Sequence, residues 1–378
     1  MKAVKLYRTT IIILCIIALG TLFLCSINPK QFPELSAFFL KGDTEEERQQ
    51  LEDTIIENVS RYSTSFEIRG YPAELVAETY KNVVSEHPEF FWLTNGYKYT
   101  ASSIGCIHVS VLFEPILTVE PEDIPEMDSS FKAALSDILS QVDTSADDYE
   151  KALFVHDYIA ESCRYYSEFD ALSPENGGDL SSCDQIYATA FGCLVNHEAI
   201  CSGYTAAYRL ILNALGIPCG SVHGLAGDSD GTSGHIWNYV VLDGESYFVD
   251  LTWDDAATKE QYCPPDHCYF CVTGDEIFKS HSLDAGQTVP ECSSTKYNYH
   301  IFNSIYLENY DYAALSALVK EDGVTEIKFS NEAELQRACT DLFERNNVFL
   351  IPAVASHGNC TVWHKSCPDS CVLVMWID

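Results

Sequence analysis

Basic residues are scarce in this sequence. Its 378 residues include 22 Lys and Arg against 56 Asp and Glu, which gives a formal net charge of −34 at pH 7. Binding to nucleic acids depends on Lys and Arg side chains that displace counterions from the phosphates. The deficit therefore argues against a nucleic acid as a partner. An acidic surface suits solubility and a basic or amine-bearing partner.

The segment between His223 and Gly234 lacks the features of a calcium site. It is rich in glycine and contains Asp228 and Asp230, but its oxygen-bearing residues are not regularly spaced and no glutamate closes it. Glycine-rich segments of this kind are typical of mobile loops. We therefore predict a mobile lid here, without a bound metal.

A complete zinc pattern is also missing. A cluster near residue 268 combines three cysteines with one histidine, namely Cys263, His267, Cys268 and Cys271. A matching second pair at a usual distance is absent, apart from Cys367 and Cys371 far along the chain. Zinc, a disulfide and free structural thiols stay open for this cluster, as does the pairing of the 16 cysteines. We expect no cofactor.

The N-terminus differs from the rest of the chain. Lys2, Lys5 and Arg8 precede an almost wholly apolar run over residues 11–25. This pattern is typical of a secretory signal or of a signal-anchor over residues 6–27. Because no small-residue cleavage site is evident, we favour an uncleaved anchor. The protein is then exported and membrane-anchored on the extracellular side, or secreted if the segment is cleaved.

The chain is long enough for more than one domain. We predict four regions, with a signal or anchor at 1–30 and an α+β region at 31–145. A catalytic core follows at 146–290. Residues 291–378 have a β-α-β-α-β pattern that predicts a small α/β accessory domain.

The densest signals occur between residues 199 and 255. Apolar residues after Cys201 recur at helical spacing, and Gly216 followed by Ile217 and Pro218 is a typical helix end. Cys201 is thereby predicted in the first turn of a helix. Unpaired backbone N–H groups and the helix dipole favour its thiolate there, as a nucleophile requires.

Two strands are predicted downstream, over residues 235–242 and 245–252. Asp243-Gly244 between them fits a two-residue hairpin turn. In that register His235 and Asp250 are diagonal neighbours on one face, with Cα atoms roughly 7–8 Å apart. An imidazole can reach a carboxylate over that distance. The order Cys, His, Asp therefore predicts a triad of nucleophile, base and orienting carboxylate.

These residues resemble the transglutaminase-like superfamily, with its papain-like catalytic core. The similarity lies in Cys201-Ser202-Gly203-Tyr204, Leu215-Gly216-Ile217, Gly234-His235, Trp237-Asn238, Tyr247, Val249-Asp250 and Thr252-Trp253. This sequence also resembles the exported bacterial members of the superfamily, at His156-Asp157-Tyr158 and Tyr269-Phe270. The resemblance covers about residues 148–283. It implies an α+β fold in which the nucleophile begins a helix packed on an antiparallel sheet.

The resemblance implies that Cys201, His235 and Asp250 are catalytic. Acyl transfer also needs a second oxyanion donor besides the Cys201 backbone, and our candidates are Gln185 and Tyr187. We assign three aromatic residues to the substrate groove: Tyr204, Trp237 and Trp253.

The expected function is a cell-surface or secreted cysteine acyltransferase or hydrolase. It would act on amide groups of proteins or peptides, including those associated with the cell wall, through a thioester. A cysteine peptidase of the same fold is equally open. A different class of function is a catalytically silent binding or adhesion module that retains the triad as scaffold.

Overall fold

The computed structural model describes residues 41–104, 107–168, 184–228, 231–255 and 264–378. The chain divides into two compact units, of which the first ends at Met127 and the second is Asp128–Asp378. Our boundaries at residues 145 and 290 stay predictions. Residues 6–27 lie outside the described residues. Within the described ranges, no helix combines the length and apolar character needed to cross a membrane.

The first unit combines helices with one small sheet. Its elements are α1 (Glu45–Ser60), β1 (Phe66–Arg69), α2 (Ala73–Glu86), β2 (Leu93–Ile104) and β3 (Ile107–Leu117). The strands form an antiparallel sheet in the order β1-β3-β2. Thr44 caps α1 as its side chain accepts from the Glu47 N–H. The sheet and α2 meet at the rings of Tyr80 and Phe113, whose centroids are 4.9 Å apart.

The second unit contains the predicted core. Its first elements are α3 (Ile124–Gln141), which begins in the first unit, α4 (Asp148–Ser162), β4 (Arg164–Tyr165), β5 (Glu198–Ala199) and α5 (Cys201–Ala214). They are followed by β6 (Cys219–Asp228), β7 (Gly231–Leu242), β8 (Glu245–Val249), α6 (Leu251–Asp254), β9 (Phe270–Val272), α7 (Gly274–Ile277) and β10 (His281–Leu283). Strands β6 to β10 form one antiparallel sheet in the order β10-β6-β7-β8-β9. The predicted α+β fold, with the nucleophile's helix packed on an antiparallel sheet, is confirmed.

The lid predicted at residues 223–234 is wrong. Strands β6 and β7 pair along nearly their whole lengths, up to Asp228 opposite Gly231. Glycine is needed here for close packing as well as for turning. A Cβ atom at Gly224 would collide with the carbonyl oxygen of Ser282, so this glycine lets β10 approach β6.

The predicted hairpin of β7 and β8 is confirmed, including its register from Leu242 opposite Glu245 to Asn238 opposite Val249. Asp243 and Gly244 have φ values of 51° and 80°, as a two-residue turn of this type requires. The second strand nevertheless ends at Val249 instead of continuing to residue 252.

Helix α5 is the centre of the core. Its buried side chains include Tyr204, Ala207, Tyr208, Ile211 and Leu212, and their spacing follows the helical period. Gly216 ends the helix with a φ of +81°. The N–H of Ile217 then donates to the carbonyl of Leu212 over 2.9 Å. This is the predicted helix end.

The C-terminal part of the second unit forms another sheet. Its elements are α8 (Tyr299–Phe302), β11 (Tyr306–Leu307), α9 (Tyr312–Leu318), β12 (Val324–Phe329), α10 (Glu332–Cys339), α11 (Pro352–Ala355), β13 (Val362–Cys367) and β14 (Val372–Ile377). The strand order is β11-β12-β14-β13. The third strand of the predicted β-α-β-α-β pattern, assigned to residues 348–354, is wrong. Pro352 begins a short helix there, a position that proline favours because it has no N–H to donate.

Candidate active site

Cys201 lies at the first position of helix α5, as predicted. Ile200 precedes it without a side-chain cap, and no acidic residue occupies the first turn. A helix start leaves backbone N–H groups without partners in the helix, and these groups favour a nearby thiolate. The Cys201 side chain is half-buried. It therefore combines a stabilising environment with access from solvent.

His235 lies on β7 beside Cys201. Its Nε2 donates to Asp250 Oδ2 over 2.7 Å, and its ring also interacts electrostatically with the Cys201 side chain. Burial lowers the pKa of His235, but the charge and hydrogen bond of Asp250, together with Cys201, outweigh burial and raise the pKa to about 10. The imidazole is thus held protonated beside the thiol at neutral pH.

Asp250 follows β8 and caps the short helix α6. Its Oδ1 accepts from the backbone N–H groups of Thr252 and Trp253 over 3.1 and 3.3 Å. Only 1% of the residue is exposed. Burial opposes ionisation, but the charge and hydrogen bond of His235 and the hydrogen bond of His281 hold the pKa of Asp250 well below its usual range. Asp250 is therefore an oriented, anionic partner for His235.

A second histidine, which sequence reasoning missed, also binds Asp250. His281 Nε2 donates to Asp250 Oδ2 over 2.9 Å, so one carboxylate oxygen accepts from two imidazoles. His281 lies on β10, 31 positions after Asp250. Nothing in the local pattern indicates that β10 joins the sheet next to β6. We call Cys201, His235, Asp250 and His281 the active-site cluster.

The predicted oxyanion donors Gln185 and Tyr187 lie on a short 3-10 helix, Asp184–Ala188. This segment packs beside the start of α5, since the N–H of Ile200 donates to the carbonyl of Tyr187 over 2.9 Å. The ring of Tyr187 stacks on Tyr166 with centroids 4.0 Å apart. The segment is therefore close to the nucleophile in space, and the oxyanion role of either side chain stays a prediction.

Two of the three groove assignments are wrong. Tyr204 is buried in the core, and its hydroxyl donates to the buried carboxylate of Asp255. Trp237 is buried in the core of the sheet. Trp253 is half-exposed, and its ring centroid lies 6.1 Å from that of His235. Of the three, Trp253 alone can line a groove beside the active-site cluster.

A second group of histidines and carboxylates lies between α4 and the C-terminal sheet. Asp157 Oδ1 accepts from both His156 Nδ1 and His267 Nε2 over 3.0 Å. Glu326 binds His267 Nδ1 over 2.8 Å and His300 Nε2 over 2.9 Å. We call these five residues the buried network. Their contacts join the catalytic core to strand β12.

One member of the buried network, His267, also belongs to the cysteine–histidine cluster for which the sequence leaves zinc, a disulfide and free thiols open. Both ring nitrogens of His267 are hydrogen-bonded to carboxylates, and Cys263 lies outside the described residues. Cys268 instead lies near Cys367 and Asp266, with ligand atoms within 4.8 Å of one another. Lys365 Nζ is 2.7 Å from Asp266 Oδ2. The lysine cation already neutralises this carboxylate, and the described cysteines are free thiols.

Comparison with known families agrees with this geometry. Residues 137–251 match the transglutaminase-like superfamily. The chain contains a transglutaminase-like core. The matched range includes Cys201, His235 and Asp250 and ends before His281. The resemblance inferred from the motifs is therefore confirmed.

Solved structures are only distantly similar. A TGase structure has 15% identity and a TM-score of 0.31, with 52% of this chain and 54% of that chain covered. A candidate cysteine protease from Cytophaga hutchinsonii has 16% identity and a TM-score of 0.24, with coverages of 42% and 63%. A candidate protease from Parabacteroides distasonis has 13% identity and a TM-score of 0.23, with coverages of 41% and 39%.

The chain thus spans less than two thirds of the length of each of these structures. No curated protein is significantly similar to the sequence.

Proposed function

We propose that this protein is a cysteine acyltransferase or hydrolase that acts on amide groups of proteins or peptides. The supporting observation is that Cys201, at the start of α5, lies beside His235, whose imidazole is hydrogen-bonded to Asp250. A thiolate beside an imidazolium that is oriented by a carboxylate is suited to nucleophilic attack on a carbonyl. The transglutaminase-like core is consistent with this class of chemistry.

In the first step the Cys201 thiolate attacks the carbonyl carbon of the amide. The protonated His235 donates its proton to the departing amine as the carbon–nitrogen bond breaks. The products of this step are a thioester on Cys201 and a free amine. The backbone N–H of Cys201 and a donor from the Asp184–Ala188 segment would stabilise the oxyanion.

In the second step an amine or a water molecule attacks the thioester. His235, now neutral, accepts the proton of the attacking group, and the Cys201 thiolate leaves. An amine acceptor gives transfer and water gives hydrolysis. Asp250 keeps the imidazole oriented and stabilises its charge in both steps. The acceptor that reaches the thioester therefore decides between transferase and peptidase activity.

We also propose that the protein is exported. The support comes from the basic residues and the apolar run at the N-terminus. Fractionation of the producing cells, with mass spectrometry of the N-terminal peptide, tests this proposal. The intact peptide in the membrane fraction indicates an anchor, and its loss from secreted protein indicates cleavage. Recovery of the intact protein in the cytosol alone would refute export.

The first test of catalysis is the pH dependence of Cys201 alkylation by iodoacetamide, followed by peptide mass spectrometry. We expect Cys201 to be alkylated much faster at acidic pH than a cysteine in a short peptide. This advantage should disappear in His235→Ala. Glutamine-containing peptides with a fluorescent primary amine, or with water alone, then distinguish transfer from hydrolysis.

An ordinary thiol profile for Cys201 would contradict the proposal. The silent binding module would then be the better hypothesis. Retention of cellular function by Cys201→Ala would support the same conclusion.

A further inference from the structure

We propose that His281 is a positioning residue of this active site, which holds the Asp250 carboxylate against His235. The inference rests on the proposed function, because it concerns the same nucleophile. Its basis is geometric. Asp250 Oδ2 accepts from His235 over 2.7 Å and from His281 over 2.9 Å.

The hydrogen bonds of Asp250 are saturated. Oδ1 accepts from the N–H groups of Thr252 and Trp253, and Oδ2 accepts from the two imidazoles. A carboxylate has about four acceptor sites, so each acceptor site of Asp250 has one donor. Without His281 the buried Oδ2 would lose one of its two donors, and the plane of the carboxylate would be less restrained.

His281 is itself held in place from several sides. Its Nδ1 lies 2.9 Å from Ser280 Oγ and 3.2 Å from the carbonyl of Ile277. Its ring contacts Trp237 and Trp253, with centroid distances of 4.9 and 4.6 Å. The side chain has no exposed surface. A ring held this firmly can fix the position of an oxygen atom.

The neighbours of His281 also determine which nitrogen carries a proton. The Asp250 carboxylate only accepts, so Nε2 must donate. At Nδ1 the Ser280 hydroxyl can donate or accept, and the Ile277 carbonyl accepts. The donor toward Asp250 is therefore present whether the ring is neutral or charged. Its role depends on the hydrogen bond and not on its charge.

The consequence for Cys201 follows through His235. A freer Asp250 carboxylate would let the His235 ring turn away from the thiol for part of the time. The thiolate would then lose stabilisation, and Cys201 would react more slowly at acidic pH. His281 would act on the nucleophile without touching it.

The test uses two His281 variants of the full-length protein. His281→Phe keeps a ring but removes the donor, while His281→Gln keeps an N–H donor near the Nε2 position and carries no charge. His223→Phe is the matched control, since His223 is an exposed residue of the adjacent strand β6. For each protein we would measure iodoacetamide alkylation of Cys201 against pH, and unfolding by denaturant.

We expect His281→Phe to shift the alkylation profile toward higher pH and to slow alkylation at pH 6 by about tenfold, because less of the thiol is held as thiolate beside His235. His281→Gln should keep the profile within about twofold, because the donor is retained. His223→Phe should behave as wild type. Unfolding curves ensure that only folded protein is compared.

An unchanged profile in His281→Phe would overturn the inference, whatever its stability. Equal shifts in the Phe and Gln variants would also overturn it, because the hydrogen bond would then not be the cause. If wild-type Cys201 already reacts as an ordinary thiol, the proposed function fails and the inference fails with it. The wild-type profile therefore distinguishes the two failures.

Discussion

The second unit contains two groups of histidines and carboxylates that differ in what their histidines contact. In the active-site cluster, a carboxylate oxygen shared by His235 and His281 orients an imidazole toward Cys201. In the buried network, Asp157 is likewise shared by two histidines, but their remaining nitrogens bind other carboxylates. Shared carboxylates alone therefore do not make a catalytic site. The proposed catalysis depends on a feature outside the network, a half-exposed thiol at a helix start.

The two groups also differ in how burial acts on their charges. Burial lowers the pKa of His156 and of His300 more than their carboxylate partners raise it. Burial also lowers the pKa of His235, yet Asp250 and Cys201 raise it to about 10. His156 and His300 of the network are thus neutral and serve packing and hydrogen bonding. His267 resembles His235, since Asp157 and Glu326 raise its pKa to about 10, but the proton of His235 lies beside a thiol.

The largest effect is expected from Cys201→Ala, which makes the active-site cluster a pure histidine–carboxylate group like the network. Acyl transfer or hydrolysis should fall by at least about a thousandfold, since the nucleophile is lost. The free energy of unfolding should change by less than about 1 kcal/mol at this half-buried site. Product analysis and denaturant unfolding measure the two quantities. Residual turnover within tenfold of wild type would contradict the assignment.

Asp250, which caps helix α6, and Asp254, which ends it, are two buried carboxyl groups that can be compared by the same substitution. Asp250→Asn should lower turnover by roughly a hundred- to ten-thousand-fold, because the amide no longer stabilises the His235 imidazolium. Asp254 binds His156 Nε2 over 3.1 Å. Burial, aided by the charge of Asp266, raises the pKa of Asp254, which favours its neutral carboxyl.

Asp254→Asn should consequently preserve turnover and change the free energy of unfolding by less than about 1.5 kcal/mol, since an amide resembles a neutral acid. Steady-state kinetics and denaturant unfolding of both variants test this contrast. Equal losses of turnover would show that the two carboxylates are not functionally distinct.

Glu326→Ala tests the structural role of the buried network. Burial opposes ionisation of Glu326, but His267 and His300 hold its pKa well below the usual range. Loss of this carboxylate leaves the His267 cation with fewer partners and should lower the free energy of unfolding by about 3 kcal/mol. The alkylation profile of Cys201 should stay as in wild type. An unchanged unfolding curve would show that the network does not stabilise the fold.

The smallest effect concerns the pH dependence of stability. Burial lowers the pKa of His267, but its hydrogen bonds and charge interactions with Asp157 and Glu326 outweigh burial and raise it to about 10. A raised pKa gives stability that is fully present below pH 6.5 and is lost as the pH rises toward about 10. Denaturant unfolding at several pH values should show this decline. His267→Gln should flatten it, and an equally steep curve in that variant would contradict the cause.

Local sequence patterns predicted the elements that carry the triad. The end of α5 at Gly216 and the turn at Asp243-Gly244 each depend on interactions among residues close in the chain. Such signals are readable because capping and turn geometry restrict the residue types. The hairpin register then placed His235 near Asp250, even though Asp250 lies one residue beyond the strand.

The errors concern contacts between distant segments. The glycine content of residues 223–234 predicts a lid. The sequence pattern does not show that Gly224 instead makes room for β10. Tyr204 and Trp237 were assigned to a groove, because the sequence does not show which side of α5 or β7 is covered. Burial is a property of the packed chain, so these assignments required the structure.

The sequence by itself determined the helix that begins at Cys201, the hairpin of β7 and β8 and the similarity to the transglutaminase-like superfamily. Those features depend on short-range hydrogen bonding and periodicity, which a few adjacent residues specify. Only the tertiary structure revealed His281 on Asp250 and the contacts of His267 with Asp157 and Glu326. These contacts join residues 31, 110 and 59 positions apart. Pairings of that kind arise when separate strands and helices pack, and no local pattern records them.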